Sequence, residues 1–301
     1  MIGFRRLFGQ VKCAVIGMIH VDALPGTPNS SSSIINIVDK ACEEAELYKS
    51  AGVNGIMLEN MHDIPYVTSV NIGPEIVSCM TKVAVEVKKV VPPTIPMGIQ
   101  ILAGANEHAL AVALAAGLDF VRVECFVFSH VADEGIMNGC AGPLLRYRRQ
   151  IGAQNILIFA DIKKKHSSHS LTEDVSISEM AKAAQFFNAD GIIVTGSSTG
   201  QPADLKHLYG IKNVKRCRDD YAKKHSNKMR KRLYTSYGNG DVKASTEIPL
   251  LIGSGVTIQN WSKYCSTADA VIIGSHFKVK GEWKNSLDVN AIKKFMHNAN
   301  I

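Results

Sequence analysis

The sequence lacks both a long apolar run and a cysteine motif. None of its hydrophobic segments approaches the ~20 residues that a membrane-spanning helix needs, so no membrane span is predicted. Its seven cysteines are odd in number and scattered, and no two are spaced as C-x-x-C. This pattern argues against a disulfide framework and a zinc module, and it indicates a reducing compartment. With 46% apolar and 20% charged residues, the composition is that of an ordinary soluble globular protein.

Excess positive charge is absent from most of the chain. The net charge is +7 over 301 residues, yet residues 206–243 alone carry +9, which leaves −2 for the remainder. Its central stretch, KRCRDDYAKKHSNKMRKR, is poor in aromatic residues. Such a stretch is typical of a solvated helix and loop, and nucleic-acid binding is not expected. The chain begins with MIGFRRLFGQVK, which is basic and free of acidic groups. This composition favours a mitochondrial presequence, with a cytoplasmic protein as the alternative.

Eight apolar runs recur along the chain, and their spacing predicts the fold. Their starts are 21 to 58 residues apart, which leaves room for a crossover helix in every interval. Helix signals fall in those intervals: Pro74 suits a first helical residue, Asn106 suits a cap, and Ser176 and Glu179 have capping-box spacing. The runs are CAVIGMIH, GIMLEN, IPMGIQIL, FVRVECF, ILIFADI, GIIVTG, PLLIGSG and AVIIGS.

Eight β-α units without a linker between them predict a single (β/α)8 TIM barrel over residues 1–301, an α/β fold. A doubly wound parallel sheet is the alternative. Two segments are interpreted as additions to the barrel. Residues 1–11 form a short basic N-terminal extension, and residues 212–246 form a basic insertion, because the interval before PLLIGSG exceeds its neighbours by some 20 residues. The insertion is expected on the barrel rim, away from the functional site.

Polar residues stand at the carboxyl ends of the predicted strands. In a TIM barrel these ends and the loops after them build the active site, so polar residues at every strand end favour a functional site over packing. Arg122 and Glu124 share a face of the fourth strand and could instead neutralise each other. The candidates for catalysis are His20, Asp22, Glu59, Glu124, Asp161, Lys163 and His166, and those for substrate binding are Gln100, Arg122 and Thr195.

The segment FADIKKKH, residues 159–166, carries the most pointed catalytic signal. Asp161 and Lys163 are two residues apart, so they share a face of the strand. A lysine beside a carboxylate at a barrel rim can hold a substrate oxyanion or move a proton, and the two are interpreted as an acid/base pair. This D-x-K strand end is similar to that of the orotidine-phosphate decarboxylase group of barrels. Lys164 and Lys165 are expected to be solvated.

Two glycine-serine elements follow the last two strands. Glycines there let backbone N–H groups approach an anion, and a helix beginning near Thr257 would direct its positive end to the same place. Such an arrangement is the usual phosphate cradle of these barrels, although tight turns also use glycine. The predicted phosphate-binding residues are Gly253, Ser254, Gly255, Gly274 and Ser275.

Three functions are compatible with these residues. The first is an enzyme acting on a small phosphorylated ligand, a sugar phosphate or nucleotide, in which His20 and Asp22 orient or assist the acid/base pair. The second is a metal-dependent hydrolase with ligands drawn from His20, Asp22, Glu59, Glu124 and His166, disfavoured because the first strand has no His-x-His. The third is a non-catalytic assembly or stability factor. No cofactor is predicted, while a divalent metal and a homo-oligomer are left open.

Segments throughout the chain form a familiar set: IGMIHVDALPGTP, AGVNGIMLEN, GPE, ILAGANEHALAVALAAGLDFVRVE, ADIKKKHSSH, ADGIIVTGSSTG, IGSGVT and IIGSHFK. In these segments the sequence resembles the BtpA family, which is named after a photosystem I biogenesis factor and includes bacterial SgcQ-type proteins. The resemblance implies a TIM barrel of the ribulose-phosphate-binding type and implies no settled reaction. Residues 212–246 fall outside the family pattern, as does GEWKNSLDV near the C-terminus, where N-P-V-D is expected.

Overall fold

Eight parallel strands close into a barrel in a computed structural model that describes residues 2–196, 200, 202 and 246–299. The first strand pairs with both the second and the last, so the sheet has no open edge. Each of the eight predicted apolar runs contributes one strand, which confirms the barrel and excludes the doubly wound sheet. The barrel strands are β1 (Ala14–His20), β2 (Gly55–Glu59), β3 (Met97–Gln100), β4 (Phe120–Val123), β7 (Leu157–Ile162), β9 (Gly191–Val194), β10 (Leu250–Ile252) and β11 (Ala270–Ile273).

A small antiparallel sheet, which the sequence does not predict, stands beside the barrel mouth. It is built by β5 (His130–Ala132), β6 (Gly135–Met137) and β8 (Ser167–Ser168), in the order β6-β5-β8. The loop after β4 supplies the first two strands and the loop after β7 supplies the third. Pairing of β5 with β8 therefore joins two loops at the carboxyl end of the barrel.

A described helix follows each barrel strand except β9, since most residues between β9 and β10 lie outside the described part of the chain. The helix after β1 is capped by Ser33, whose side chain accepts from the N–H of Asn36, and it ends at Gly52 in the left-handed conformation. The predicted capping box of Ser176 and Glu179 is present. The helices are α1 (Ile2–Phe8), α2 (Ile34–Ala51), α3 (Pro74–Val90), α4 (Asn106–Ala116), α5 (Ala141–Gln150), α6 (Ile177–Phe186), α7 (Trp261–Cys265) and α8 (Val289–Ala299).

Two predicted helix starts differ from the structure. Asn106 is not a cap but the first residue of α4, and its amide donates to the Glu124 carbonyl at 2.8 Å. The helix expected near Thr257 begins only at Trp261, because the Asn260 side chain accepts the Thr257 N–H at 2.7 Å and holds a turn there. Of the predicted insertion 212–246, every residue except Thr246 lies outside the described residues.

Residues 1–11, interpreted from the sequence as an extension, contain a helix that packs into the barrel. Phe4 and Phe8 are buried at the amino-terminal end, against residues at the starts of the strands. The Phe4 ring centroid lies 6.1 Å from that of Phe159, and the Phe8 centroid lies 6.0 Å from that of Phe120. The apolar face of α1 therefore closes this end of the barrel.

Replacement of either buried ring should destabilise the barrel. Phe4→Ala and Phe8→Ala each remove a large side chain from a packed site, so each is expected to lower the free energy of unfolding by about 3–5 kcal/mol. Urea unfolding followed by circular dichroism measures the loss. Ile2→Ala is the matched control, because Ile2 lies on the same helix and is 90% exposed. Equal effects in all three variants would mean that α1 does not pack as described.

Candidate active site at the carboxyl end of the barrel

The barrel interior is apolar in its lower layers and polar in its top layer. Because strand side chains alternate, residues two positions beyond an inward-facing apolar residue face inward as well. His20 follows buried Met18, Glu59 follows buried Met57, and the three residues His20, Glu59 and Gln100 are register neighbours across β1, β2 and β3. The top layer consists of His20, Glu59, Gln100, Arg122, Asp161, Thr195, Gly253 and Gly274.

Two buried ion pairs lie at this end of the barrel, one within the top layer and one formed by residues that follow the strands. The Arg122 guanidinium binds Asp161 with Nε to Oδ1 at 3.0 Å and Nη2 to Oδ2 at 2.9 Å. The Lys164 ammonium lies 3.1 Å from Glu124 Oε1, and the Gly104 N–H donates to Oε2 at 2.9 Å. The alternative that Arg122 and Glu124 form a direct pair is therefore wrong, because each has another partner.

The pairs have different electrostatic consequences. Burial opposes ionisation of Glu124, but the Lys164 ammonium and then the Arg122 guanidinium lower its pKa overall. Burial raises the pKa of Asp161, and the guanidinium of Arg122 only partly offsets that rise. Arg122 stays charged in all conditions in which the protein folds. Asp161 is thereby held as the counter-ion of an interior arginine.

Glu59 is the carboxylate of the top layer that is not bound to a partner. Among the described residues its side chain makes no hydrogen bond or ion pair, although it is only 7% exposed. Burial raises its pKa, and the charges of Arg122 and Lys165 offset the rise only in part. A carboxyl group in this setting is suited to carry a proton during a reaction.

His20 is a neutral imidazole at the edge of the same layer. Its Nδ1 lies 3.2 Å from the Trp283 carbonyl, which can only accept, so Nδ1 carries the proton and Nε2 is an acceptor. Burial, followed by the charge of Lys278, lowers the pKa of His20 to about 3. At neutral pH this residue can therefore accept a hydrogen bond or a proton in the site.

Three predicted catalytic residues are not brought into the top layer. Asp22 binds the Lys40 ammonium on α2 at 2.7 and 2.8 Å. Lys163 donates to the Thr172 carbonyl at 3.2 Å and has φ +45°, because β7 ends at Ile162 and the alternation of faces stops there. His166 is exposed. The predicted Asp161–Lys163 pair on one strand face is therefore not formed.

The two lysines that were expected to be solvated are instead part of the site. Lys164 is 8% exposed and pairs with Glu124, as described above. Lys165 lines the cavity at the barrel mouth, and its N–H donates to Thr195 Oγ1 at 2.9 Å. Burial and then the charge of Arg122 lower the pKa of Lys165. The sequence contains no signal that selects Lys165 from a run of three lysines, because the selection depends on where β7 ends.

A cavity of about 150 Å³ opens above the top layer. One wall carries side chains that can bind or react, among them His20, Glu59, Arg122 and Lys165. The opposite wall is formed by the loops after β10 and β11. Its described residues are Gly253, Ser254, Gly255, Val256, Thr257, Gly274, Ser275 and His276. All five predicted phosphate-binding residues therefore line one cavity, whereas the predicted substrate-binding residues Gln100 and Thr195 do not line it.

Backbone N–H groups in these two loops remain available to a ligand. Among the described residues, the N–H groups of Gly255, Val256, Ser275 and His276 donate to no acceptor. The Ser254 hydroxyl accepts the Gly196 N–H at 2.8 Å, so part of its role is to hold the loop after β9. An anion in the cavity would meet several unpaired donors within a short stretch of chain.

Two glycines keep the cavity open. A Cβ on Gly253 would lie 2.6 Å from Ile193 Cγ2, and a Cβ on Gly274 would lie 3.0 Å from the His20 ring. Gly255 has φ +67°, a conformation that other residues adopt with strain. Gly253 and Gly274 therefore require glycine because of the limited space, and Gly255 requires it because of the backbone conformation.

The predicted metal-ligand set does not converge. Of its members, Asp22 binds Lys40, Glu124 binds Lys164 and His166 is exposed. In the described part of the chain, no three or more His, Cys, Asp or Glu side chains are grouped so that they could hold one metal ion. The same part of the chain contains no helix long and apolar enough to cross a bilayer.

Several solved structures have a similar fold, at low sequence identity. The TM-score is 0.55 with KGPDC from Streptococcus mutans in complex with D-R5P, at 10% identity over 96% of this chain and 98% of that one. It is 0.52 with orotidine 5'-monophosphate decarboxylase from Methanocaldococcus jannaschii, at 12% identity over 96% and 99%. It is 0.51 with phosphoribosyl anthranilate isomerase from Thermus thermophilus, at 8% identity over 95% and 98%. These likenesses confirm the predicted TIM-barrel fold.

Relatives by sequence cover nearly the whole chain. A Caenorhabditis elegans protein named as uncharacterised and mitochondrial is 46% identical over 98% of this chain and 96% of its own. An uncharacterised protein of Archaeoglobus fulgidus is 33% identical over 89% and 92%. The photosystem I biogenesis protein BtpA of Synechocystis is 28% identical over 95% and 88%.

The family model for BtpA matches residues 11–219 and 239–301. The match is wider than the sequence segments indicated. It includes GEWKNSLDV and both ends of the 212–246 segment, so within that segment only residues 220–238 fall outside it. The chain belongs to the BtpA family.

Proposed function

We propose that the protein is an enzyme that binds a small phosphorylated ligand, a sugar phosphate or nucleotide, and moves a proton on it. The observation that carries the proposal is the cavity at the barrel mouth, with unpaired backbone donors on one wall and ionisable side chains on the other. A phosphate would lie against the loops after β10 and β11, where Gly255 and Gly274 allow close approach. The rest of the ligand would then extend toward Glu59 and Lys165.

The roles within the site follow from which groups already have partners. Glu59, with a raised pKa and no partner among the described residues, is suited to general acid/base catalysis. Lys165, held at the cavity by its backbone bond to Thr195, would stabilise negative charge on the ligand. His20 would accept a hydrogen bond at Nε2. Asp161 acts through Arg122 and positions it, instead of acting as half of the acid/base pair expected from the sequence.

The structural neighbours support the ligand class and not the reaction. Phosphoribosyl anthranilate isomerase and orotidine 5'-monophosphate decarboxylase carry phosphorylated substrates in their names and share the fold. At 8% and 12% identity they do not transfer a reaction to this chain. A non-catalytic assembly role is favoured by the name of the Synechocystis relative. A thermal-shift screen against phosphorylated metabolites distinguishes the two, because a ligand that binds only the native state raises the melting temperature.

We also propose a mitochondrial location. The relative from Caenorhabditis elegans is named as mitochondrial, and the chain begins with a basic, acid-free segment. Because Phe4 and Phe8 pack inside the barrel, a cleavage after residue 8 would remove both rings from the core. Imaging of a fluorescent fusion, with N-terminal sequencing of the purified protein, tests the location and whether α1 is retained.

We call the loops after β10 and β11 the phosphate wall of the cavity. Gly255 in this wall and Gly117 outside it have equal backbone strain, but valine at the two positions should affect ligand binding differently. Gly255→Val should abolish binding of any phosphorylated ligand found in the screen, because a side chain would stand where the phosphate approaches. Gly117 also has φ +67°, at the end of α4 with no atom near its missing side chain, so Gly117→Val shares the strain and should bind normally. Ser275→Ala removes one hydroxyl donor and should weaken binding by about ten- to a hundredfold. Calorimetric titration gives all three affinities; an unchanged affinity in Gly255→Val would disprove the phosphate wall.

The carboxylates of the top layer predict stability changes of opposite sign. Glu59→Gln should raise the free energy of unfolding at neutral pH by about 1 kcal/mol or more, because it replaces an unpartnered buried charge. Asp161→Asn makes the same chemical change but leaves Arg122 buried without its counter-ion, and it should lower that energy by about 3–5 kcal/mol. Urea unfolding measures both. A loss of stability in Glu59→Gln as large as that in Asp161→Asn would show that Glu59 is a structural partner and not a group held for catalysis.

A further inference from the structure

A second, smaller cavity lies beside the barrel mouth, under the three-stranded sheet. Its volume is about 10 Å³, and its lining includes Cys125, His130, Lys164 and His169. His130 belongs to β5, and His169 directly follows β8, the strand that pairs with β5. The two imidazole ring centroids are 5.4 Å apart.

His169 presents a lone pair without a partner. Its Nε2 lies 2.9 Å from the Lys164 carbonyl, which can only accept, so Nε2 carries the proton. In the neutral ring the other nitrogen, Nδ1, is then an acceptor. That atom is buried and has no hydrogen-bond partner among the described residues.

His130 also has one ring nitrogen, Nε2, without a hydrogen-bond partner among the described residues. Its Nδ1 lies 3.5 Å from the Cys125 sulfur, whose own thiol can donate to the Phe128 carbonyl at 3.3 Å. With that thiol hydrogen used, Nδ1 donates to sulfur and Nε2 is left as a lone pair. His130 is 5% exposed, and its Nε2 is buried without a partner.

We propose that His130 Nε2 and His169 Nδ1 together bind one transition-metal dication of the zinc or cobalt type. The second nitrogen of His169 is bonded to a backbone carbonyl, an arrangement that orients metal-ligating histidines in proteins, and the second nitrogen of His130 lies against the Cys125 sulfur. Two imidazoles on one tetrahedral ion, with metal–nitrogen distances of about 2.0–2.1 Å, have ring centres about 5 Å apart. The observed separation of 5.4 Å fits that geometry.

The charges around the pair permit a cation. Two lysines line the same cavity. The Lys164 ammonium is bonded to Glu124 at 3.1 Å, so these two together are neutral, and the Lys163 ammonium donates to the Thr172 carbonyl at 3.2 Å. The described chain supplies two ligands and not three, which leaves the remaining positions of the ion to water. An ion at this place would join the loop after β4 to the loop after β7, and it would fix the sheet that borders the active site.

Metal titration of the protein tests the proposal. The chain is stripped with EDTA and dialysed, then titrated with Zn²⁺ by calorimetry and with Co²⁺ by visible absorption. One ion per chain is expected, and His130→Gln and His169→Asn should each weaken binding by about tenfold or more. The Co²⁺ spectrum should contain no thiolate charge-transfer band, because Cys125 lies at the nitrogen of His130 that faces away from the ion. Zn²⁺ should raise the melting temperature of the native protein by a few degrees and have no effect in the two variants.

The controls separate this site from adventitious binding. His297→Ala, on an exposed face of α8, should bind as the native chain does. Each histidine variant is first checked for a cooperative melt, and the amide replacements keep a polar group in the cavity so that folding is preserved. Absence of stoichiometric binding would overturn the proposal and would leave a water molecule as the occupant of the cavity. Binding that is unchanged in both histidine variants would also overturn it.

Discussion

The organisation of the protein depends on one geometric constraint. Eight parallel strands close into a barrel, and along each strand the side chains alternate between the inside and the outside of that barrel. Every second side chain of each strand faces the barrel axis, so inward-facing residues recur at every second position along the strand. The lower layers are filled by Met57, Phe120, Phe159 and Ile272, with α1 beneath them. The top layer is reached two residues later on each strand, and it is polar throughout. The apolar core and the polar site therefore occupy successive inward-facing positions on the same strands.

A polar layer inside a barrel is stable only if its charges are compensated. Removal of an ion from water costs several kcal/mol, and a partner with good hydrogen-bond geometry must offset that cost. Arg122 with Asp161, and Lys164 with Glu124, meet this condition. Once they are paired, Glu59 is the carboxylate of this layer without a counter-ion bonded to it in the described chain. A group that reacts must be able to change its charge. We therefore assign the catalytic role to Glu59 and a positioning role to Asp161, whose charge balances that of Arg122.

The sequence predicts the strands well and the pairing of their polar residues poorly. Each apolar run is local and becomes one barrel strand, so the fold and the set of strand-end residues could be read from pattern and spacing. The partner of a strand-end residue lies on another strand or loop, and nothing local specifies it. Asp161 is bonded to Arg122, 39 positions away, and not to Lys163, two positions away. The rule that residues two apart share a face fails at Lys163 because the strand ends one residue earlier.

The same reasoning explains why the small sheet was not predicted. Its strands are two or three residues long, too short for a periodic signal, and they come from loops separated by a helix and a strand. Pairing of β5 with β8 is what brings His130 and His169 together across 39 positions of sequence. Local sequence patterns therefore do not predict features that arise from contact between loops, even where they predict the preceding strands correctly.

The two ends of the barrel divide stability from chemistry. At the amino-terminal end, the rings of Phe4 and Phe8 complete an apolar interior that has no polar group to satisfy. At the carboxyl end, glycines leave space unfilled. Among the described residues, several backbone N–H groups there donate to no acceptor and the Glu59 carboxyl group is buried without a bonded partner, each at a cost in stability. These deficits are concentrated around one cavity, which is where a bound ligand would supply the missing contacts. A barrel can carry an under-satisfied mouth because packing at its opposite end is complete.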